Sequence, residues 1–96
     1  MVDSKGARKR VEAFYSGRVQ GVGFRFTAQS FAIDLGIYGG VKNLADGRVQ
    51  VVAEAEEDTL KELLERLKQS FSQYIKSVDI SWQEATGEFR DFQIRF

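Results

Sequence analysis

Three glycines and two arginines fall within nine residues, Gly17-Arg18-Val19-Gln20-Gly21-Val22-Gly23-Phe24-Arg25, where a strand-like run gives way to a helix-like one. Glycine has no Cβ, so its backbone takes positive φ readily and lets successive N–H groups turn into one concavity. The first amides of a following helix are unpaired donors at the positive end of its dipole. Arg25 adds a full charge on a planar fork that matches phosphate oxygens. These residue types at this spacing point to an anion site, and the guest it suits is a phosphoryl group. A plain strand-to-helix connector also uses glycine, though one would be enough for that purpose. Two familiar phosphate loops are excluded by spacing. No G-x-x-x-x-G-K-[ST] is present, and Gly21-x-Gly23 is followed by Phe26 where a dinucleotide fingerprint needs a third glycine.

The composition limits which chemistry is open to such a site. The chain has 96 residues, 43% hydrophobic, with eight Phe, which suffices for one small domain with a single core. It contains no Cys and no His, so disulfides, thiolate nucleophiles, the commonest general base and the commonest metal ligand are all missing. No cofactor and no metal are implied. Glu56, Glu57 and Asp58 read as the acidic start of a helix rather than as a cation site. No long apolar run and no signal-peptide pattern occurs, so the expectation is a cytoplasmic protein with no membrane partner. The formal net charge is zero, but residues 1–50 hold eight Lys/Arg against four Asp/Glu, and residues 51–96 hold six against ten. The glycine-rich segment therefore lies in the positive half, which favours a small anion. The overall balance is too even for a nucleic-acid partner.

The elements that would position this segment follow from hydrophobic spacing. Residues 1–9 are polar and basic and predict a mobile N-terminal tail, with the folded domain over 10–96. Val11, Ala13 and Tyr15 alternate with Glu12, Phe14 and Ser16 in a strand ending at Gly17. Phe24, Ala28, Phe31, Ala32 and Leu35 recur at helical spacing, with Gly36 in place for a C-terminal cap. Two extended runs, Ile37 to Asn43 and Arg48 to Ala55, flank Leu44-Ala45-Asp46-Gly47, whose Asp-Gly pair signals a hairpin and an antiparallel pairing. Leu60, Leu63, Leu64, Leu67 and Phe71 mark a second amphipathic helix. Val78, Ile80 and Trp82 predict a fourth strand, and Phe92, Ile94 and Phe96 a short last one after a Thr86-Gly87 turn. The order is βαββαβ plus a terminal strand. It predicts an α+β, ferredoxin-like sandwich with a largely antiparallel sheet and two helices on one face. Phe24, Phe31, Phe71 and Trp82 read as core aromatics.

Two segments carry a resemblance. The block from Gly17 to Arg25, together with Gly39-Gly40-Val41-Lys42-Asn43-Leu44-Ala45-Asp46-Gly47-Arg48-Val49, resembles the two signature blocks of the acylphosphatase family. The first matches closely. The second keeps Asn43 and the Asp46-Gly47 turn, whereas the family often has an aromatic at Gly40, Arg at Lys42 and Pro at Ala45. The ending Phe92-Gln93-Ile94-Arg95-Phe96 and the element order extend the likeness over residues 10–96.

The resemblance implies hydrolysis of an acyl phosphate, a carboxyl-phosphate anhydride, to a carboxylate and inorganic phosphate, which is then both product and inhibitor. It implies that Arg25 and the loop amides over Gly17, Arg18, Val19, Gln20, Gly21, Val22, Gly23 and Phe24 bind the phosphoryl group. Asn43 would position the attacking water, and the enzyme would act as a monomer. Without the resemblance, Asn43 before a turn reads first as a local backbone cap. The chemistry suits a chain lacking His and Cys, because a carboxylate leaves without a general acid and phosphoryl transfer depends mainly on positioning and charge. Two other classes stay open: a non-catalytic phosphate- or carbamoyl-phosphate-binding module, and an RNA- or protein-binding ferredoxin-like domain. An aromatic in place of Gly40 is expected to raise the melting temperature by covering the sheet edge.

Overall fold

The computed structural model describes residues 7–96. Strand β1 (Arg8–Gly17) leads to helix α1 (Phe24–Leu35), β2 (Tyr38–Asn43), β3 (Val49–Glu56), helix α2 (Glu57–Ser70), β4 (Ile75–Glu84) and β5 (Phe92–Arg95). One five-stranded sheet runs in the order β4-β1-β3-β2-β5, antiparallel at every pair except the parallel β2–β5 edge. β3 thus splits β1 from β2, and β1 splits β3 from β4, which is the expected ferredoxin-like α+β topology with one added strand.

The strand alternation seen in the sequence becomes the inner face of the sheet. Val11, Ala13 and Tyr15 of β1 pair with Ala53, Val51 and Val49 of β3, and all six are buried under the helices. Leu60, Leu63 and Leu67 of α2 and Phe24, Ala28 and Ala32 of α1 close the core from above. Phe24 lies 4.9 Å from the ring of Tyr15 and 4.7 Å from that of Phe71, so the first residue of α1 is fixed by two tilted aromatic contacts. Burial pushes the Tyr15 phenol well above its ordinary pKa, which keeps it neutral in this layer.

Three expectations change. The tail is shorter than 1–9, because Arg8 and Lys9 pair with Glu56 and Ala55 inside the ladder. Their charges find partners there: Arg8 donates to the Glu54 carbonyl oxygen at 3.1 Å and Lys9 lies 3.5 Å from the Glu84 carboxylate. The rest of the expected tail, residues 1–6, lies outside the described residues. Trp82 is not core. It sits on the edge strand β4, with a neighbouring strand on one side only, and is 41% exposed, while Phe31 is half-buried. Phe96 leaves the sheet after Arg95 and is 98% exposed.

The outer face holds a feature that the alternation concealed. Glu54 would read as solvent-facing, yet it is 1% exposed because the segment between β4 and β5 folds over it. Its carboxylate accepts from the Thr86 amide at 2.8 Å, the Thr86 hydroxyl at 3.0 Å, the Gly87 amide at 3.0 Å and the Arg10 guanidinium at 3.2 Å. Phe89 of the same segment lies between Arg10 and Arg95, whose guanidinium carbons stand 5.3 and 5.7 Å from its ring centre. The Arg95 side chain also fills the space a Cβ would take at Gly40. The cover expected of an aromatic at position 40 is therefore supplied by Arg95 and Phe89.

Two outcomes follow from these contacts. Desolvation opposes ionisation of Glu54, but the Thr86 and Gly87 amides, the Thr86 hydroxyl and Arg10 outweigh it and hold the carboxyl below the usual range. A lowered folded-state pKa stabilises fully above the unfolded value and is lost as pH falls through the folded one. Glu54→Gln is therefore expected to cost about 2 kcal/mol at pH 7, with the gap to the unaltered chain closing on acidification. Urea melts at both pH values measure this. At position 40, Gly40→Trp is expected to raise the melting temperature only in an Arg95→Ala background. In the otherwise unaltered chain the displaced Arg95 cancels the gain, so a thermal double-mutant cycle should show coupling between the two positions.

Candidate active site

The turn between β1 and α1 is built to leave donors free. Gly21 and Gly23 adopt φ of 78° and 84°, and a Cβ at either would meet no atom, so glycine is needed here for conformation rather than for space. Gly23 is the N-cap of α1, and it brings no side-chain oxygen; the first turn also lacks any acidic residue. The early amides of α1 are thus uncapped and point their partial positive charge outward. Val19, fully buried in the core, roots the turn behind them.

Gly21, Gly23 and the backbone of Phe24 line a cavity of about 260 Å³, together with Arg25 from the first turn of α1. Asn43, the last residue of β2, lines the same cavity. A strand-one loop and a strand-two terminus, separated in the sheet by β3, therefore open onto one small volume. The remaining walls are apolar: Val19 at the base, Ile94 of β5, and the rings of Phe26 and Phe96. The Arg25 guanidinium carbon stands 5.2 Å from the Phe96 ring centre, which holds this charge against the cavity.

Not every residue of the glycine-rich segment faces the cavity. The Arg18 amide donates to the Tyr74 carbonyl oxygen at 2.9 Å, and its guanidinium lies over the Tyr74 ring. Gly17 abuts the Tyr74 and Lys76 backbone, where a Cβ would collide. These two residues join β1 to the start of β4. Val22 packs against the core. Gln20 has a different task, which sequence reasoning missed. Its side-chain amide gives one hydrogen bond to the Leu44 carbonyl oxygen at 2.8 Å and one to that of Arg48 at 3.0 Å. Both carbonyls flank the β2–β3 turn, already closed by the Leu44 amide on the Arg48 carbonyl at 2.8 Å. Gln20 therefore staples the glycine loop to the hairpin that carries Asn43. Asp46 holds the tip by accepting from the Arg48 amide at 3.1 Å and its guanidinium at 2.9 Å, contacts that lower its pKa.

An uncapped helix start, an arginine beside it and an asparagine from the stapled hairpin thus line one small cavity. Comparison with known proteins identifies the lineage. The Acylphosphatase family profile matches residues 11–94. The chain belongs to the acylphosphatase family. It is 44% identical to the acylphosphatase of Deinococcus radiodurans over 86 residues, 88% of this chain and 98% of that one. Among solved structures, the acylphosphatase of Bacillus subtilis superposes with a TM-score of 0.85 at 32% identity, covering 92% of this chain and 99% of that one. The fold also recurs within HypF of T. kodakarensis, with a TM-score of 0.78 and 27% identity over 92% of this chain but only 12% of that protein.

If Gln20 couples loop to hairpin, Gln20→Leu should lose about 1–2 kcal/mol of stability, the worth of two side-chain bonds to carbonyls in a half-buried place. Its effect on turnover should exceed its effect on phosphate affinity, because Arg25 and the loop amides stay on α1 while Asn43 is released. Denaturant melts, kcat and inhibition by inorganic phosphate together test this.

Proposed function

We propose that this acylphosphatase cleaves acyl phosphates by holding the phosphoryl group on Arg25 and the uncapped amides around Gly21–Phe24 while Asn43 orients the attacking water. The observation that carries the reading is the shared cavity of Arg25, Asn43 and the start of α1. The water oxygen bonds to phosphorus as the bond from phosphorus to the acyl oxygen breaks. The carboxylate leaves with the electron pair, and a phosphoryl oxygen takes the water proton. The charge on the equatorial oxygens is met by fixed donors, so the protein supplies orientation and field rather than a titrating base. Inorganic phosphate fits the same cradle and acts as product inhibitor.

A monomeric, cytoplasmic enzyme is part of the same proposal. The free edge strand β4 carries Lys76, Asp79 and Glu84, charges that discourage edge-to-edge pairing. No helix of the described residues is long and apolar enough to cross a membrane. Light scattering and cell fractionation test these two points. The recurrence of the fold as a small part of HypF favours a binding module as the second reading. Phosphate release from acetyl phosphate decides between them. RNA binding is disfavoured because the exposed-face aromatics are occupied: Arg48 lies 4.7 Å from the Phe14 ring centre, and Phe89 is held between two arginines.

Arg25→Ala is expected to lose turnover and phosphate inhibition together, since its contacts serve ground and transition states alike. Asn43→Ala should keep phosphate binding, with phosphate at ~100 times its dissociation constant still stabilising the fold by about 2.7 kcal/mol. Its rate should fall by roughly 10²–10³-fold. Retained phosphate binding in Arg25→Ala would move the anion site elsewhere. With no His or Cys in the chain, the rate of the unaltered enzyme should stay nearly flat between about pH 5 and 8 apart from substrate ionisation, and EDTA should not change it.

A further inference from the structure

Two phenylalanines stand out from the rest of the surface. Among the described residues, Phe26 at 74% and Phe96 at 98% are the most exposed large hydrophobic side chains, and both line the mouth of the Arg25–Asn43 cavity. A single exposed ring needs no explanation, but two at the rim of one functional cavity form an apolar collar around a charged floor. Neither is explained by packing. Phe26 lies off the core stripe of α1, which is Phe24, Ala28 and Ala32, and Phe96 lies beyond the end of β5. Ile94 adds apolar surface to the same cavity.

A phosphoryl group seated on the uncapped amides and Arg25 leaves the carbon part of its anhydride at this collar. A polar or charged acyl group would gain nothing from it, whereas a flat apolar one would bury a face against each ring. We infer that Phe26 and Phe96 form an acyl-recognition clamp that selects acyl phosphates with an aromatic or bulky apolar acyl group over small ones. Phe96 also carries the Arg25 guanidinium on its ring, so its removal disturbs the phosphate floor as well. Phe26 touches the preference alone and is the informative position.

The inference rests on the acyl-phosphate reading, and the experiment separates the two. The unaltered chain and Phe26→Ser are each assayed with benzoyl phosphate and acetyl phosphate, and the readout is the ratio of kcat/KM for the two substrates. Phe26→Ser, at an exposed helical position, is expected to keep its circular dichroism and melting profile. The unaltered chain should prefer benzoyl phosphate, and the substitution should lower the ratio roughly tenfold, in line with the discrimination apolar contacts provide. Phe26→Leu should fall between. Hydrolysis of both substrates with a ratio unmoved by Phe26→Ser overturns the clamp and leaves the acyl-phosphate reading intact. Failure of the unaltered chain to hydrolyse either substrate overturns both.

Discussion

Helix α1 begins with unsatisfied N–H groups and no side chain to cap them, and the surrounding structure is arranged around that deficit. An ordinary N-cap oxygen would quench the donors, so the position is held by Gly23, with Gly21 turning the chain in the same left-handed sense. The donors are useful only if the helix start cannot shift. Phe24 supplies that rigidity from the next residue, wedged between Tyr15 and Phe71. Arg25, one residue on, then projects from a fixed base. The proposed binding residue and the core packing thus sit on adjacent positions, and a cavity made at Phe24 would reach Arg25 through the backbone alone.

Much of this was legible in the sequence, for reasons that differ from element to element. The alternation of Val11, Ala13 and Tyr15 and the helical spacing of Leu60, Leu63 and Leu67 report a one-sided burial that the fold realises. Gly36 closes α1 as its position predicts, with φ of 71°. The glycine-rich segment takes left-handed backbone at Gly21 and Gly23, as its glycines predict, but Gly17 and Arg18 serve the β1–β4 junction. Backbone partners brought from fifty residues away, such as Tyr74, leave no local trace in the chain. Gln20 was hidden for the same reason: its carbonyl partners belong to a hairpin whose proximity depends on the sheet order. Glu54 misled because period-two alternation says which face a residue takes, not whether a later segment covers that face. Trp82 misled in the opposite direction, since an apolar residue on an edge strand has a neighbouring strand on one side only and stays open to water on the other.

The two faces of the sheet divide the work. Under the helices the contacts are apolar and the packing decides. On the outer face a buried carboxylate gathers the β4–β5 segment through three hydrogen bonds, with a fourth from Arg10 of β1, and Phe89 locks the segment between arginines. That segment delivers β5 to the edge of β2, where the Gly39 amide accepts its direction by donating to the Asp91 carbonyl oxygen at 2.8 Å. β5 in turn brings Ile94 and Phe96 to the cavity. The buried Glu54 carboxylate on one face is therefore linked mechanically, through the β4–β5 segment and β5, to the apolar collar on the other.

The interposed strand β3 has a consequence for how the protein is made. Arg25 stands in the first turn of α1, beyond the end of β1, and Asn43 at the end of β2, and these two strands never pair; they are set side by side through β3, at about 4.8 Å per neighbour, with the Gln20 side chain tying loop to hairpin. Among the strand pairings only β2 with β3 is local in the chain, while β1 joins β3 at a distance such as Val11 to Ala53. Closing that long loop is the slow, entropically expensive event in such a topology. A chain with the hairpin alone, or with β1 on β4 alone, holds one half of the site and no cavity between halves. With the roles proposed for Arg25 and Asn43, catalytic competence does not accumulate piecemeal during folding but arrives with the insertion of a single strand, and the reaction itself becomes an all-or-none reporter of the finished topology.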